Sequence, residues 1–132
     1  VDLIAGFRSK DIMILEDNQW TNITNGELAK KALAKGCMEI GLIEKEEEIG
    51  KYYFHSVGHS LGLDTHDACI YGEPLVEGNI ITVEPGLYIE EENIGIRIED
   101  DALVTVDGAI NLSEEIIKEV NDIENYIVSN KK

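Results

Sequence analysis

Hydrophobic residues first recur at helical spacing. From Leu28 to Ile40 apolar side chains fall every three or four positions. This pattern predicts a one-sided helix of about four turns that ends near Gly41. Thr24-Asn25-Gly26-Glu27, directly before the run, has the residue pattern of a capping box. Another short helical turn is predicted for residues 44–53.

Between residues 79 and 106 the period changes to that of β-strands. Ile80–Val83 and Leu87–Ile89 are apolar runs separated by Glu84-Pro85-Gly86. Proline cannot donate a ladder hydrogen bond, and glycine tolerates unusual dihedral angles. The sequence therefore predicts a kink or a bulge between two strands.

A third strand is predicted from strict alternation. Ile94, Ile96 and Ile98 alternate with small or polar residues, and successive side chains of a strand point to opposite faces. Arg97 and Glu99 are therefore predicted to share the face that points away from the core.

The last predicted element is a helix after the turn at residues 106–108. Ser113 is a suitable cap for it. The apolar residues that follow form a stripe at helical spacing: Ile116, Val120, Ile123 and Ile127. Its acidic start and the two terminal lysines suit the helix dipole.

Length and composition indicate one globular domain of 132 residues, 43% of them hydrophobic. The 27 acidic and 11 basic residues give a formal net charge of −16. This charge opposes binding to nucleic acid and to anionic membranes, and it favours divalent cations as partners. The alternative is that the charge only solvates the surface, as at Glu46–Glu48 and Glu90–Glu92.

Cysteine content and hydropathy limit the redox state and the location. Cys37 and Cys69 are too few for a disulfide framework or a zinc knuckle, so both are predicted to be reduced thiols. No apolar run approaches the ~18 residues that span a bilayer, and no basic region leads into a long apolar run at the N-terminus. We therefore expect no membrane association and a cytoplasmic location.

All three histidines, His55, His59 and His66, lie close together in the chain. Each alone is compatible with an ordinary structural histidine, but their clustering favours a functional site. His55 and His59 have the spacing of two zinc ligands on a helix, yet the glutamate of that motif is missing and Gly58 and Gly62 disfavour a helix. We reject a helical zinc site and predict that the backbone passes close to another strand or to a ligand at both glycines.

Two carboxylates follow predicted strands. Glu84 ends an apolar strand and Glu99 follows the alternating one, and burying either without a cation or a hydrogen-bonding partner would be costly. Divalent ions accept carboxylate oxygen and imidazole nitrogen together. The spacing leaves an alternative open, in which both carboxylates lie at strand edges in water and Glu99 pairs with Arg97.

Three motifs in order resemble a known family. They are His55-x-x-x-His59 with the following Gly62–Asp67, then Val83–Ile89, then Gly95–Asp101. Together they closely resemble the successive C-terminal motifs of the M24, or pita-bread, metallopeptidases. They are most similar to the branch of the Xaa-Pro aminopeptidases and the Xaa-Pro dipeptidases (prolidases). The resemblance covers residues 27–126.

The resemblance implies an α+β fold, namely the C-terminal part of the pita-bread fold, in which a curved antiparallel sheet is backed by helices. It implies two divalent metal ions on the concave face, manganese first, with cobalt or zinc as alternatives. It also implies hydrolysis of the bond before proline at a peptide N-terminus. The expected partner is a peptide with proline at the second position, and a homodimer or other self-association is expected as well.

The resemblance also implies roles for the metal ligands. His59, Glu84 and Glu99 match ligands of the metal ions, and Glu99 is expected to bridge both. Glu84 lies where the family passes a proton from the attacking water, so it is a catalytic candidate as well as a ligand.

Substrate-binding roles follow from the same resemblance. His55 and His66 match histidines that bind substrate and stabilise the tetrahedral intermediate, which makes both of them catalytic and substrate-binding candidates. Arg97 matches the polar neighbour of the bridging glutamate and is the third substrate-binding candidate.

The chain departs from the family pattern in two places. Ser56 stands where the family commonly has glycine. The family also supplies two aspartate ligands from an upstream segment that nothing here matches, since Asp11 and Asp17 have different surroundings. We therefore predict that residues 1–22 are an unassigned lead and that residues 23–132 are the C-terminal part of a catalytic domain. Alone, the chain is expected to bind at most one ion, weakly, and to have little or no peptidase activity.

Two other functions stay open. One is a noncatalytic pita-bread module that binds peptides or proteins. The joint presence of His59, Glu84 and Glu99 argues against it, because a binding-only protein has no physical need for them. The other is a methionine aminopeptidase or creatinase relative with the same fold, but residues 62–67 and 95–101 are more similar to the prolidase branch.

Overall fold

Helix α1 spans Asn22–Glu39 in the computed structural model, which describes residues 22–70 and 72–131 and, within them, the side chains from residue 26 onward. The helix predicted for residues 28–41 is therefore confirmed. The predicted capping box is wrong, because Thr24 already lies inside α1 and lacks the non-helical backbone of an N-cap. The buried face of α1 consists of Ala29, Leu33, Ala34 and Cys37.

The end of α1 requires a glycine. Gly41 has a φ of 73°, in the left-handed region that glycine adopts most readily. The N–H of Leu42 donates to the carbonyl of Cys37 (2.9 Å), and the N–H of Gly41 donates to the carbonyl of Met38 (3.1 Å). These two bonds form a Schellman motif, which satisfies carbonyl groups that the helix leaves unpaired.

A 3-10 helix follows at Glu46–Lys51, which confirms the short helical turn predicted for residues 44–53. Its Ile49 is buried in the core beside α1. The N–H groups of Tyr52 and Tyr53 both donate to the Ile49 carbonyl, at 2.9 Å and 2.8 Å. This turn places both tyrosines in the core directly before the histidine-rich segment.

Five antiparallel strands follow in the part of the chain that the structure describes. They form a three-stranded sheet in the order β1-β4-β5 and a two-stranded sheet β2-β3, and a 3-10 helix at Glu90–Glu92 connects β2 to β3. Antiparallel strands combined with helices agree with the predicted α+β class. The strand bounds are β1 Ile80–Val83, β2 Gly86–Ile89, β3 Ile94–Arg97, β4 Asp100–Thr105 and β5 Gly108–Asn111.

The two sheets share one pairing register. The last pair of the β1–β4 ladder is Val83 with Asp100, and the first pair of the β2–β3 ladder is Gly86 with Arg97. Counting residue by residue along both strands leads from the first of these pairs to the second without a shift in register. The same register carried through the gap sets Glu84 opposite Glu99. The four strands therefore form one antiparallel ribbon that is interrupted at Pro85, which confirms the predicted break between the first two strands.

The ribbon separates an apolar face from a polar face. Arg97 and Glu99 are exposed on the face opposite the core, so the prediction that they share a face is confirmed. Ile94 is the exception among the alternating isoleucines, because it is 43% exposed. The side chains that the ribbon packs into the core are Ile81, Val83, Leu87, Ile89, Ile96, Ile98 and Ala102.

The C-terminal helix α2 spans Val120–Ser129 and starts later than predicted. Residues 112–119 form irregular turns. The predicted cap at Ser113 is wrong, because its hydroxyl donates to Asp100 at 2.6 Å and so ties this turn to β4. Ile116 lies outside the helix, and the last helical turn contains no basic residue. The rest of the predicted stripe is 37–52% exposed: Val120, Ile123 and Ile127.

The described residues include two helices and both cysteines. Neither α1 nor α2 has the length and apolar character that crossing a membrane requires. Cys37 is buried, Cys69 is exposed, and both are free thiols. Burial raises the pKa of the Cys37 thiol, so this thiol stays protonated and unreactive.

A buried carboxylate, Asp100, holds the C-terminal turns against β4. The residue is 6% exposed and accepts hydrogen bonds from the Ser113 hydroxyl (2.6 Å) and the Lys118 ammonium (2.9 Å). Burial acts to raise the pKa of Asp100, but these bonds and one with Asn111 outweigh it and hold the pKa below its ordinary value. The folded state therefore favours the charged carboxylate.

We expect acid to weaken the fold through Asp100. Because its folded pKa is depressed, its stabilisation is present above an unfolded pKa of about 3.9 and is lost as the pH falls through the folded value. We expect Asp100→Asn to lower the free energy of unfolding at pH 7 by about 2 kcal/mol and to reduce its dependence on pH below about 5. Urea denaturation at several pH values measures both quantities, with the exposed Asp107→Asn as control. An equal pH dependence in the native chain and in Asp100→Asn would contradict this account.

Candidate metal centre

Glu84 and Glu99 lie on the same face of the ribbon at its interruption. The shared register sets them opposite each other, and like charges directly opposite on antiparallel strands repel. The Glu84 side chain is 12% exposed and that of Glu99 is 40% exposed. Water therefore screens Glu84 poorly, and the alternative of two carboxylates in water does not hold for it. A cation near the pair would relieve the repulsion.

An extended segment beside β1 carries His59. The N–H of His59 donates to the Thr82 hydroxyl (3.0 Å), and its carbonyl accepts from the Thr82 N–H (2.9 Å). Gly58 permits this approach, because a Cβ there would lie 1.8 Å from the Thr82 carbonyl oxygen. The close approach predicted at Gly58 is confirmed, whereas a Cβ at Gly62 would meet the side chain of Asp67. The segment is not helical, in agreement with the rejection of a helical zinc site.

A hydrogen bond fixes which ring nitrogen of His59 faces the carboxylates. Nδ1 lies 3.1 Å from the carbonyl oxygen of Ser60, which can only accept, so Nδ1 carries the proton. Nε2 lies 3.5 Å from Oε1 of Glu84, and in the neutral ring it holds a lone pair. A lone pair that faces a carboxylate is unfavourable unless a cation lies between them. A ring N–H on a backbone carbonyl is also the usual arrangement of a metal-binding histidine.

His59, Glu84 and Glu99 together have the spacing of a metal site. One ligand atom from each of the three side chains lies within 4.8 Å of the others. One imidazole nitrogen and two carboxylates suit divalent ions such as manganese, cobalt or zinc. The donor set and the orientation of the His59 ring therefore both fit a divalent cation.

Arg97 approaches the same two carboxylates with its guanidinium. Nη1 lies 3.5 Å from Oε2 of Glu84, and Nη2 lies 3.8 Å from Oε2 of Glu99. These distances exceed those of N–H···O hydrogen bonds, and the half-exposed guanidinium is screened by solvent. The pairing of Glu99 with Arg97 that the sequence left open is present, but it neutralises the two carboxylates only in part.

His55 is held by Tyr88, a residue that the sequence analysis missed. Nδ1 of His55 donates to the carbonyl of the next residue (2.7 Å), so its Nε2 accepts from the Tyr88 hydroxyl (3.0 Å). A Cβ at Gly86 would lie 2.8 Å from that hydroxyl, and a Cβ at Gly95 would lie 3.1 Å from the ring. Both glycines leave space for the ring. Strand alternation from Glu84 would have placed Tyr88 on the same face of the ribbon.

His66 contacts the cluster only through the ring of His59, among the contacts that the structure describes. The centroids of the two rings are 4.1 Å apart, and their planes are inclined by 60°. His66 itself is exposed. The structure thus gathers four of the six predicted site residues in one cluster, His59, Glu84, Arg97 and Glu99, and links His66 to it through a ring contact. The contacts of His55 are with aromatic residues and the backbone.

Tyr53 is a second tyrosine that the sequence analysis missed. It is 1% exposed, and its hydroxyl makes no hydrogen bond with any residue that the structure describes. Burial, together with the Glu84 carboxylate and Tyr88, raises the pKa of Tyr53 to about 12. Tyr53 therefore stays a neutral phenol within reach of the charge of Glu84. In the sequence it belongs to an aromatic run before His55 that indicates only burial.

Known proteins are similar to this chain in sequence and in fold. The sequence model of metallopeptidase family M24 matches residues 22–106. The chain belongs to this family. It is similar to the Xaa-Pro aminopeptidase of Haemophilus influenzae, with 37% identity over 145 residues that cover 96% of this chain and 34% of the relative. The M24 chain thus spans about a third of that relative's length.

Solved structures of aminopeptidase P agree with the family assignment. A Bacillus anthracis protein provisionally assigned as aminopeptidase P matches with a TM-score of 0.90 and 50% identity, over 98% of this chain and 31% of its own. The zinc-substituted Escherichia coli aminopeptidase P in complex with product matches with a TM-score of 0.82 and 29% identity, over 99% of this chain and 34% of its own. The same enzyme with the inhibitor Pro-Leu gives 0.81 and 28%, over 97% and 33%. The predicted pita-bread fold is therefore confirmed.

The approach of Gly58 to β1 gives a test of how His59 is placed. We expect Gly58→Ala to lower the free energy of unfolding by about 3 kcal/mol, because the new methyl group would overlap a backbone carbonyl that cannot move without disturbing β1. Gly50→Ala is the matched control, since a Cβ there meets nothing within 4 Å. Urea denaturation compares the two variants, and equal stabilities would show that Gly58 does not lie this close to the Thr82 carbonyl.

The unpaired hydroxyl of Tyr53 gives a second test. Since a buried hydroxyl without a partner costs about 1–3 kcal/mol, Tyr53→Phe is expected to leave the free energy of unfolding unchanged or to raise it by about 1 kcal/mol. Tyr126→Phe, at an exposed position, controls for the loss of a phenol. A clear loss of stability in Tyr53→Phe would mean that its hydroxyl is paired.

Proposed function

We propose that the protein is a metal-dependent peptidase of the Xaa-Pro type and that this chain supplies part of its metal site. The observation that carries the proposal is the convergence of His59, Glu84 and Glu99 within 4.8 Å. Membership of the M24 metallopeptidase family supports it. The chain spans about a third of its relative's length. The peptidase activity is therefore proposed for the whole protein and not for this chain alone.

The proposed metal ligands are Nε2 of His59 and carboxylate oxygens of Glu84 and Glu99. When bound, a divalent ion supplies a Lewis acid that activates water and polarises a peptide carbonyl. The family resemblance adds a second ion and a bridging role for Glu99, with manganese as the first candidate and cobalt or zinc as alternatives. Three ligands provide too little negative charge for two cations, so this chain alone is proposed to bind at most one ion, weakly.

Glu84 is the proposed proton carrier. Its carboxylate is nearly buried and lies between His59 and Arg97, so its orientation is restrained from two sides. A carboxylate in this position can take a proton from the attacking water and pass it to the departing prolyl nitrogen. Arg97, which also approaches Glu99, is proposed to hold both carboxylates in place and to contact the substrate.

His55 and His66 are the proposed substrate-binding histidines. An imidazole N–H aimed at the carbonyl oxygen would stabilise the negative charge that develops there. The exposed His66 ring lies against His59, within reach of a substrate that occupies the cluster. Both ring nitrogens of His55 are engaged, one with Tyr88. To donate to a substrate, His55 would need the Tyr88 hydroxyl to turn away and its ring proton to lie on Nε2 instead of Nδ1.

The proposed substrate is a peptide with proline at its second position. The relative from Haemophilus influenzae is an Xaa-Pro aminopeptidase, and this name supports the choice. Beside His55, the exposed Phe54 ring lies 5.2 Å from that of Tyr88, and this pair offers an apolar surface of the kind that a proline ring contacts.

Self-association also remains a proposal. The apolar stripe of α2 is exposed, and β5 is an edge strand of its sheet. Either feature can pair with a second copy of the chain or with another segment of the protein. The division of the chain into residues 1–22 and 23–132 likewise stays a prediction.

Manganese binding tests the metal site. We expect no more than one Mn²⁺ per chain, and we expect Glu84→Gln to weaken binding by more than the ~10–100-fold that loss of an outer-shell partner costs. The reason is that an amide replaces a charged ligand. Electron paramagnetic resonance of free Mn²⁺ measures the affinity, and the exposed Glu77→Gln is the control. Native affinity in Glu84→Gln would refute the assignment.

Turnover is the second measurement on the same samples. We expect little or no cleavage of an Xaa-Pro dipeptide by this chain at high Mn²⁺, since neither Asp11 nor Asp17 has the sequence surroundings of the family's aspartate pair. Robust turnover by this chain alone would refute its proposed incompleteness. Absence of Mn²⁺ binding would refute the metal site itself.

A further inference from the structure

Asp100 is a buried charged residue that the proposed reaction does not use. It directly follows Glu99 in the chain, and it pairs across the ladder with Val83, which directly precedes Glu84. This pair is the last one before the interruption of the ribbon. One pair of residues therefore controls the backbone position of both carboxylates in the metal cluster.

The contacts of Asp100 lie behind the cluster, because successive side chains of a strand point to opposite faces. The Ser113 hydroxyl donates to Asp100 (2.6 Å) and accepts from the N–H of Asp101 (3.1 Å). The Lys118 ammonium contacts Asp100 (2.9 Å) and donates to the Ser113 carbonyl (2.6 Å). A single turn of chain thus holds two consecutive residues at the start of β4.

A charged group in this place is not explained by stability alone. Burying an ion pair costs desolvation, and apolar residues of similar volume often stabilise as well or better. The best-attested use of buried polar groups is to fix a register, since they have partners in one alignment only. Here the partners of Asp100 lie in the segment after β5, so their contacts fix the start of β4, and with it Glu99, against that segment.

We propose that Asp100, Ser113 and Lys118 form an anchor that positions Glu84 and Glu99 for metal binding. The inference rests on the proposed function, because this positioning matters only if the carboxylates hold an ion. The three are positioning residues that act through the backbone of β4. Ligand atoms must be held to within about 0.5 Å, so a small shift at the start of β4 weakens binding.

Metal affinity in folded variants of the full chain tests the anchor. Ser113→Ala and Lys118→Met each remove one partner of Asp100, whereas Ser113→Thr and Lys118→Arg keep the hydroxyl or the charge. We expect about tenfold weaker Mn²⁺ binding in the first pair, and affinities within about threefold of native in the second. Electron paramagnetic resonance measures the affinity, and the visible absorption of bound Co²⁺ reports ligand geometry. The matched exposed controls, Ser129→Ala and Lys35→Met, are expected to bind as the native chain does.

Circular dichroism and urea denaturation of the same samples give the folded fraction. Native affinity in both Ser113→Ala and Lys118→Met would overturn the anchor and leave the metal site intact. The anchor would also be overturned if the loss of Mn²⁺ affinity in these variants were fully explained by a smaller fraction of folded protein. If the native chain bound neither Mn²⁺ nor Co²⁺, the proposed metal site would fail first, and the anchor would fail with it.

Discussion

Repulsion between Glu84 and Glu99 is the constraint around which the rest of the structure is arranged. The shared register of the two sheets places these carboxylates opposite each other, where like charges disfavour pairing. Arg97 offsets the repulsion in part, and Nε2 of His59 faces Glu84 at 3.5 Å. A fold that retains such an arrangement has a local need for a cation, and this need links the geometry to family membership.

The two faces of the ribbon have different roles, because one contributes to the core and the other carries the candidate metal site. One face enters the core with α1, and the other presents the cluster and Tyr88. Asp100 breaks this division, because it is a carboxylate on the apolar face and is satisfied by Ser113 and Lys118. Tyr53 lies outside the ribbon and is a second buried polar exception, because its hydroxyl has no partner in the described part of the chain. Both exceptions lie close to Glu84 in space or in the ladder.

Local periodicity predicted what local interactions determine. The apolar spacing of α1, the strands on either side of Pro85, and the shared face of Arg97 and Glu99 all follow from side-chain patterns within a few residues. Ser113 was misassigned because its hydroxyl bonds to a residue 13 positions away, a contact that no local pattern displays. Tyr88 was missed for a similar reason, since its partner His55 lies 33 positions away. The cluster itself was predicted from motif order, which reflects shared ancestry rather than periodicity.

The common register of the two sheets also restricts how this protein can change in length over evolution. Residues can be added at the turn around Asn93, where the backbone already leaves the ladder, without moving either carboxylate. A single insertion within β2 or β3 would instead send one of the two carboxylates to the apolar face. Related chains should therefore differ in length at hairpin tips and after β5. The number of residues from Glu84 to the turn at Glu90–Asn93, and from this turn to Glu99, should stay constant.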